Sequence, residues 1–420
     1  MIEPVSGPKL AALVHEARRR WNVPGIVLGV LSQGALVFAS DGTRELGRQE
    51  RVAPATVFRI ASITKPFVAT LASALAGEGL LELDAPPPRT QVEATVRQLL
   101  SHQGGLACEW PGPLARFDEA DEPLARLAVE APEPLPVGPG ELFSYSNVGY
   151  WLVGAACARA ASTSFEQALR SRVLEPLSLE ATGFGPGSGA ARGHTQIRPG
   201  ADLHRVAPDS YPRVRRPSGG LWSSVPDLLA FAAHHLGGPG PLRPESIAEL
   251  QRPQIATGSE AYGLGWSISE RGGRRTVEHA GSAAGYQSLL LLVPDAELAV
   301  AALTNSSRGG AALRDVLEQL GLGREQRQAV SLTEVELAAL SGRYRGQGIE
   351  LELAVKDGDL WLGRTETDPL TGKTEVYPAL QARPLGGREF EFVADEWRGE
   401  LFDFPREGIV RLGTIAVRVE

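Results

Sequence analysis

Apolar residues recur at helical spacing from Leu10 to Trp21, and the pattern stops at Asn22-Val23-Pro24-Gly25, which cannot continue a helix. Two apolar runs follow, GIVLGVLS and ALVFAS, and Gln33-Gly34 between them predicts a hairpin. The stretch FRIASITKPFVATLASALAGEGLLELD, Phe58 to Asp84, predicts a long apolar helix starting near Ser62, with Pro86-Pro87-Pro88 forcing an extended break beyond it. TVRQLLSHQGGL reads as a short helix ending in a glycine-rich loop, and PGELFSYSNVGYWLVGAA as a Pro/Gly turn leading into an apolar helix. Pro111 to Gly140, rich in proline and acid, suits surface loops and short helices. Gly183 to Pro217 is dense in Gly, Pro and Arg without periodicity, which predicts a long loop bordering a cleft.

SSVPDLLAFAAHHL opens with Ser224 three residues before Asp227, a loose capping box ahead of a helix. Strand patterns return at YGLGWSIS, TVEHAG, YQSLLLLVP and LAVAALTN, and helical AALRDVLEQLG follows. The late strands are free to complete the early hairpin's sheet, an α+β arrangement with a helical insertion rather than a run of βαβ units. Beyond GLGREQRQAVS the texture changes to short strands joined by Gly, Asp and Pro turns, with a hairpin signal at Lys356-Asp357-Gly358-Asp359. The expected organisation is a larger domain over residues 1–325 and a small all-β barrel or sandwich over 331–420.

Composition narrows the partners. The chain has 420 residues, 43% of them hydrophobic, which suits a globular protein of more than one domain. A net charge of −8 without a long Lys/Arg run argues against nucleic acid. Glu3, Pro4, Pro8 and Lys9 interrupt any secretory apolar core, and no segment approaches the ~20 apolar residues of a membrane span, so cytoplasmic residence is the expectation. Cys108 and Cys157 form no CxxC pair; whether they bridge each other stays open. The seven histidines include no HExxH, and no metal or cofactor is expected.

Three stretches carry candidate chemistry. Ser62 and Lys65, three apart, would share a helix face, so the amine could activate the weak hydroxyl nucleophile near a helix N-terminus rich in free N–H groups. The same pair also fits an ordinary helix start with a solvated lysine. In Tyr145-Ser146-Asn147, a phenol whose pKa is lowered by cations could take the serine's proton, while Asn147 offers its amide to substrate and bonds the lysine; taken alone, the stretch fits a core tyrosine and a capping asparagine better. In His279-Ala280-Gly281, Gly281 could let substrate lie along a strand edge and the Ser282 N–H could be an oxyanion donor, with an edge-strand histidine as the alternative.

Together SITK, YSN and HAG resemble the serine β-lactamase and penicillin-binding-protein superfamily, whose motifs are SxxK, SDN and KTG. The tyrosine resembles the branch of class C β-lactamases, D-Ala-D-Ala carboxypeptidases, D-aminopeptidases and esterases. FRIASITKPF, LLSHQGGL, PGELFSYSNVGYWLVG, SGGLWSSVPDLLAF and YGLGW look like that branch's signatures, in order, over about Leu10 to Leu320. The resemblance implies a five-stranded antiparallel sheet flanked by helices, with a helical insertion and the active site between them. It implies Ser62 as acylated nucleophile, Lys65 as its activator and Tyr145 as general base and acid. Asn147 would position substrate, His279 would line the cleft with Gly281 beyond it, and the N–H groups of Ser62 and Ser282 would form the oxyanion hole.

Two departures shape the expected function. His279 stands where β-lactamases carry lysine, and as a group partly protonated at neutral pH it would hold a carboxylate weakly and pH-dependently. The β region resembles extra domains of D-aminopeptidase relatives; a loop over the cleft, stability, or association into a homo-oligomer are all open roles. The leading expectation is a serine hydrolase acting through an acyl-enzyme on small esters or short peptides with D-residues, with weak β-lactamase activity at most. The alternatives are a penicillin-binding covalent receptor that acylates without turnover, and a pseudoenzyme whose β region is an interaction module.

Overall fold

A computed structural model describes residues 6–109, 135–196, 202–206, 211–367, 373–393 and 397–419. Most of the proline- and acid-rich stretch, 111–134, lies outside the described residues, as do 197–201 and 207–210 of the expected cleft loop. What is described of that loop includes a small sheet, His194–Gln196 paired with Leu203–Arg205.

The strand Gly25–Ser32 is buried along almost its whole length, a pattern that requires cover on both faces of its sheet. Ile26, Leu28 and Val30 point into one core, and Val27 and Leu31 into the other. Leu298–Thr304 alternates in the same way: Leu298, Val300 and Ala302 on one side, Ala299, Ala301 and Leu303 on the other. Helices Gly7–Arg20 and Gly309–Gln319 close the first face. Helices Thr64–Gly77, Asn147–Ala160 and Val225–His235 close the second.

Five long antiparallel strands form the sheet that the resemblance implies: in spatial order Ala35–Gly42, Gly25–Ser32, Leu298–Thr304, Tyr286–Val293 and Arg274–Ala283. Gln33-Gly34 is the hairpin turn, with Ser32 opposite Ala35, and the late strands complete the early sheet through the pairing of Val30 with Val300. Beyond Arg274–Ala283 the sheet continues through Ser267–Arg271 and two two-residue strands, Ala261–Tyr262 and Ile255–Ala256, to eight in all.

The C-terminal region is a closed eight-stranded antiparallel barrel running from Gly342–Gly346 to Thr414–Arg418, which pair with each other to close it. Ile349–Lys356 shows why: its first residues alternate buried and exposed, as one-sided strands do. Leu351, Leu353, Phe390, Phe392, Phe402 and Phe404 fill the interior. Helix Glu334–Leu340, started by a Thr333/Glu336 capping box, adds Leu337 and Leu340 to that core.

The second face of the main sheet depends on the stack of Phe67 against Phe231, both fully buried with ring centroids 3.8 Å apart and planes within 10°. Phe231→Ala is expected to destabilise the larger unit by about 3–5 kcal/mol. A lower denaturant midpoint with an unchanged slope for that transition checks it.

Candidate active site

The short strand Phe58–Arg59 pairs with Trp222–Ser223, and the Ile60 N–H donates to the Leu221 carbonyl at 3.0 Å, which anchors the chain just before Ser62. Ala61 then turns through φ +47°, a left-handed conformation costly for a residue with a side chain. Ser62 lies in the 3-10 turn Ala61–Ile63 and the α-helix begins at Thr64, so the serine stands just ahead of the helix rather than within it. Pro66 falls in the first turn, where its missing N–H costs nothing.

One turn on, Lys65 is fully buried. Its Nζ donates to Asn147 Oδ1 at 2.7 Å and to the Ser218 carbonyl at 2.8 Å, and lies 3.2 Å from Ser62 Oγ. The Tyr145 hydroxyl donates to Ser62 Oγ at 2.9 Å. The amine also sits 4.6 Å from the Tyr145 ring centroid and 5.3 Å from that of Tyr150. Ser62, Lys65, Tyr145 and Asn147 are therefore together, although 82 residues separate Lys65 from Asn147. Helix Asn147–Ala160 is capped by Ser146, whose side chain accepts from the Gly149 N–H, and this leaves Asn147 free to serve the lysine.

Burial sets the protonation states. It lowers Lys65 to about 7, Cys108 and Glu109 pulling back up and Arg215 pushing further down. Burial raises the Tyr145 phenol well above its ordinary value, with Tyr262 adding to the rise and the Ser62 hydrogen bond opposing it. The expectation of a phenol lowered by cations is thus corrected: the resting tyrosine keeps its proton and donates it to Ser62. A neutral lysine has two N–H bonds and one lone pair. Carbonyl oxygens only accept, so Asn147 and Ser218 take the two N–H bonds and the lone pair is left for the Ser62 hydroxyl.

His279 also differs from expectation. Burial, with the Lys65 charge as the next cause, lowers it to about 3. Both ring nitrogens are occupied: Nδ1 faces the Ala280 carbonyl at 2.7 Å, which only accepts, so Nδ1 carries the hydrogen and Nε2 accepts from the Tyr262 hydroxyl at 2.9 Å. A ring that stays neutral throughout the neutral range offers a carboxylate no pH-dependent positive charge.

Gly281 serves a close approach. A Cβ there would stand 2.2 Å from the Ile60 carbonyl oxygen and 2.2 Å from Ser288 Oγ, distances no side chain tolerates. The bare backbone lets strand Arg274–Ala283 press against the chain two residues before Ser62, fixed by a Ser288 hydroxyl donated to the Ile60 carbonyl at 2.8 Å. Ser282 follows on that strand with its side chain held by Gln287 at 2.8 Å.

Four further residues, Ser218, His102, Glu109 and Arg215, support the site without belonging to any of its three motifs. Ser218, whose carbonyl serves Lys65, lies in SGGLWSS, and His102 lies in LLSHQGGL, so both were inside stretches already singled out. His102 accepts the Ser146 N–H on Nδ1 at 3.0 Å and lays its ring 4.2 Å from that of Tyr145. Glu109 accepts from Asn147 Nδ2 at 2.6 Å and from Arg215 at 2.9 Å, which fixes the amide so that its oxygen faces Lys65. No spacing pattern marks Glu109 or Arg215. Cys108 and Cys157 are both free thiols. No helix among the described residues is long and apolar enough to cross a membrane.

A family model described as Beta-lactamase matches residues 10–322. Penicillin-binding protein 4 of Amycolatopsis lactamdurans is 27% identical, over 79% of this chain and 95% of its own length. Esterase EstB of Burkholderia gladioli is 29% identical, over 65% of this chain and 83% of its own. The crystal structure of SurE superposes with a TM-score of 0.77 at 24% identity, covering 98% of both chains, a likeness of fold that includes the barrel. The chain belongs to the beta-lactamase family of serine hydrolases, with esterases and penicillin-binding proteins among its relatives.

Proposed function

We propose that this protein hydrolyses small esters or short peptides bearing D-residues through an acyl-enzyme on Ser62. The observation that carries the reading is the unbroken chain of contacts linking the Tyr145 hydroxyl, Ser62 Oγ and the Lys65 amine, at 2.9 and 3.2 Å, with the amine lowered to about 7. Ser62 attacks the substrate carbonyl as its proton passes to Lys65. The tetrahedral intermediate collapses as Tyr145 gives its phenolic proton to the leaving group, and the new ammonium of Lys65 reprotonates the phenolate. Water then attacks the acyl-enzyme, the same pair relaying its proton back to Ser62.

The Ser62 N–H, and that of Ser282 on the strand drawn in at Gly281, are proposed as oxyanion donors. The neutral, doubly bonded His279 supports substrates that need no cationic carboxylate anchor at that position, which favours esters and D-aminoacyl compounds over β-lactams.

Ser62→Ala is expected to lower turnover of a short-chain nitrophenyl ester and a D-alanyl anilide by at least ~10³-fold in a folded protein. Retained turnover would refute the nucleophile. A chromogenic cephalosporin is expected to be the poorest of three substrates by kcat/KM, and intact mass after penicillin treatment is expected to show at most a short-lived adduct. A lasting adduct without turnover of any substrate favours the covalent receptor instead.

Because the neutral lysine is the active base, kcat/KM should rise with pH along a one-proton limb centred near about 7 and fall away below it. His279, lowered to about 3, adds no limb of its own, and His279→Gln should leave the midpoint in place. A midpoint that moves with residue 279 counts against this assignment. Gly281→Ala must push the strand off the Ile60 carbonyl, and about a hundredfold loss of kcat is expected in steady-state assays.

A further inference from the structure

The backbone N–H groups from Ser144 to Asn147, the stretch that carries Tyr145 into the site, have four separate acceptors. Ser144 donates to the His102 carbonyl at 2.9 Å, Ser146 to His102 Nδ1 at 3.0 Å, and Asn147 to the Cys108 carbonyl at 2.8 Å. These three all reach the 102–108 loop of the hydrolase fold. The fourth, from Tyr145 itself, donates to the Gly413 carbonyl at 3.0 Å, and Gly413 belongs to the barrel. In an extended segment alternate N–H groups face opposite ways, so the 102–108 loop serves residues 144 and 146 while the barrel serves 145. Buried or half-buried N–H groups need such partners, and this one comes from a region that otherwise forms its own core.

The turn at Gly413 is built to stay in place. It joins strands Ile409–Leu412 and Thr414–Arg418 through a single residue at φ +71°, with Leu412 opposite Thr414. Thr414 Oγ1 meets the Ser144 hydroxyl at 3.1 Å, and the Ile415 N–H donates to the same hydroxyl at 3.3 Å. Ahead of the turn, the Arg411 guanidinium lies 5.9 Å from the Phe143 ring centroid and Arg406 pairs with Glu141 at 2.8 Å. Contact thus runs along residues 141–145 and ends on the tyrosine.

We propose that the Leu412–Thr414 turn of the barrel is a positioning element for Tyr145, holding its backbone through the Gly413 carbonyl so that the phenol stays within reach of Ser62. This rests on the reading of Tyr145 as the proton carrier. The turn touches no reacting atom; it acts through the tyrosine, and a small displacement of such a group costs rate far more than binding.

The test uses the full chain, the nitrophenyl ester, and steady-state kinetics on Thr414→Val, Thr414→Ser, Ser144→Ala and Tyr145→Phe, alone and combined. Thr414→Val and Ser144→Ala each remove hydroxyl contacts that anchor the turn and are expected to lower kcat about tenfold with KM within about twofold. Thr414→Ser keeps the hydroxyl and should restore kcat. In a Tyr145→Phe background the Thr414→Val loss should vanish, because both changes act on one group. Wild-type kcat in both Thr414→Val and Ser144→Ala, or an undiminished loss on top of Tyr145→Phe, overturns the proposal while Tyr145 keeps its role. An undiminished kcat in Tyr145→Phe alone overturns the proton-carrier reading, and the positioning role with it.

Discussion

Lys65 has no exposed surface, and a charged amine there must do without water. What replaces the water comes from separate parts of the chain: a hydroxyl from its own turn, the Asn147 amide oxygen at the head of a helix, and the Ser218 carbonyl of the short helix Arg216–Gly219. Two tyrosine rings complete the surround. Ser218 shows how far the demand reaches, since its own hydroxyl accepts from Trp151 at 2.9 Å and donates to the Arg215 carbonyl at 3.0 Å.

One physical cause governs the whole cluster. Loss of water disfavours every charged form, so it lowers Lys65, His102 and His279 and raises Tyr145 and Tyr150. At rest the histidines and tyrosines are held neutral, and Lys65, lowered to about 7, is poised between its charged and neutral forms. Glu109 and Arg215 are the ion pair beside it, and their influences on the lysine oppose each other, which leaves burial as the deciding cause.

Local pattern made much of this legible. The Gln33-Gly34 hairpin, the apolar helix behind Ser62 and the alternation in Ile349–Lys356 are each properties of a few adjacent residues, and each formed as periodicity implies. Ser62, Lys65, Tyr145 and Asn147 were expected in one site only because SITK and YSN, with HAG, resemble a family's ordered motifs. Protonation was not legible, because it depends on how much water remains, and no motif records that. The phenol was expected to fall and the histidine to titrate near neutrality; the packing around them reverses the first and removes the second. Glu109 is the plainest omission, an acidic residue on a loop whose importance exists only once Asn147 and Arg215 arrive beside it.

The barrel presents the same lesson over a longer span. Residues 145 and 413 share no pattern, and the bond between them joins a backbone N–H to a backbone carbonyl, groups every residue carries. Side chains in the sequence hint at neither. What fixes the pairing is the docking of two folded units, and the contacts that hold it, from Arg406 with Glu141 to Thr414 with Ser144, are individually modest. Their number along one short segment matters more than their strength, because each removes a direction in which residues 141–145 can move. On the proposed reading of Tyr145 as proton carrier, a phenol held 2.9 Å from its partner gains from that loss of freedom. The barrel also meets the larger unit where Ser259 bonds Glu389 at 3.0 Å and Arg314 bonds Glu400 at 3.4 Å, and because those contacts lie away from residues 141–145, the grip on that segment is the part of the docking that bears on Tyr145.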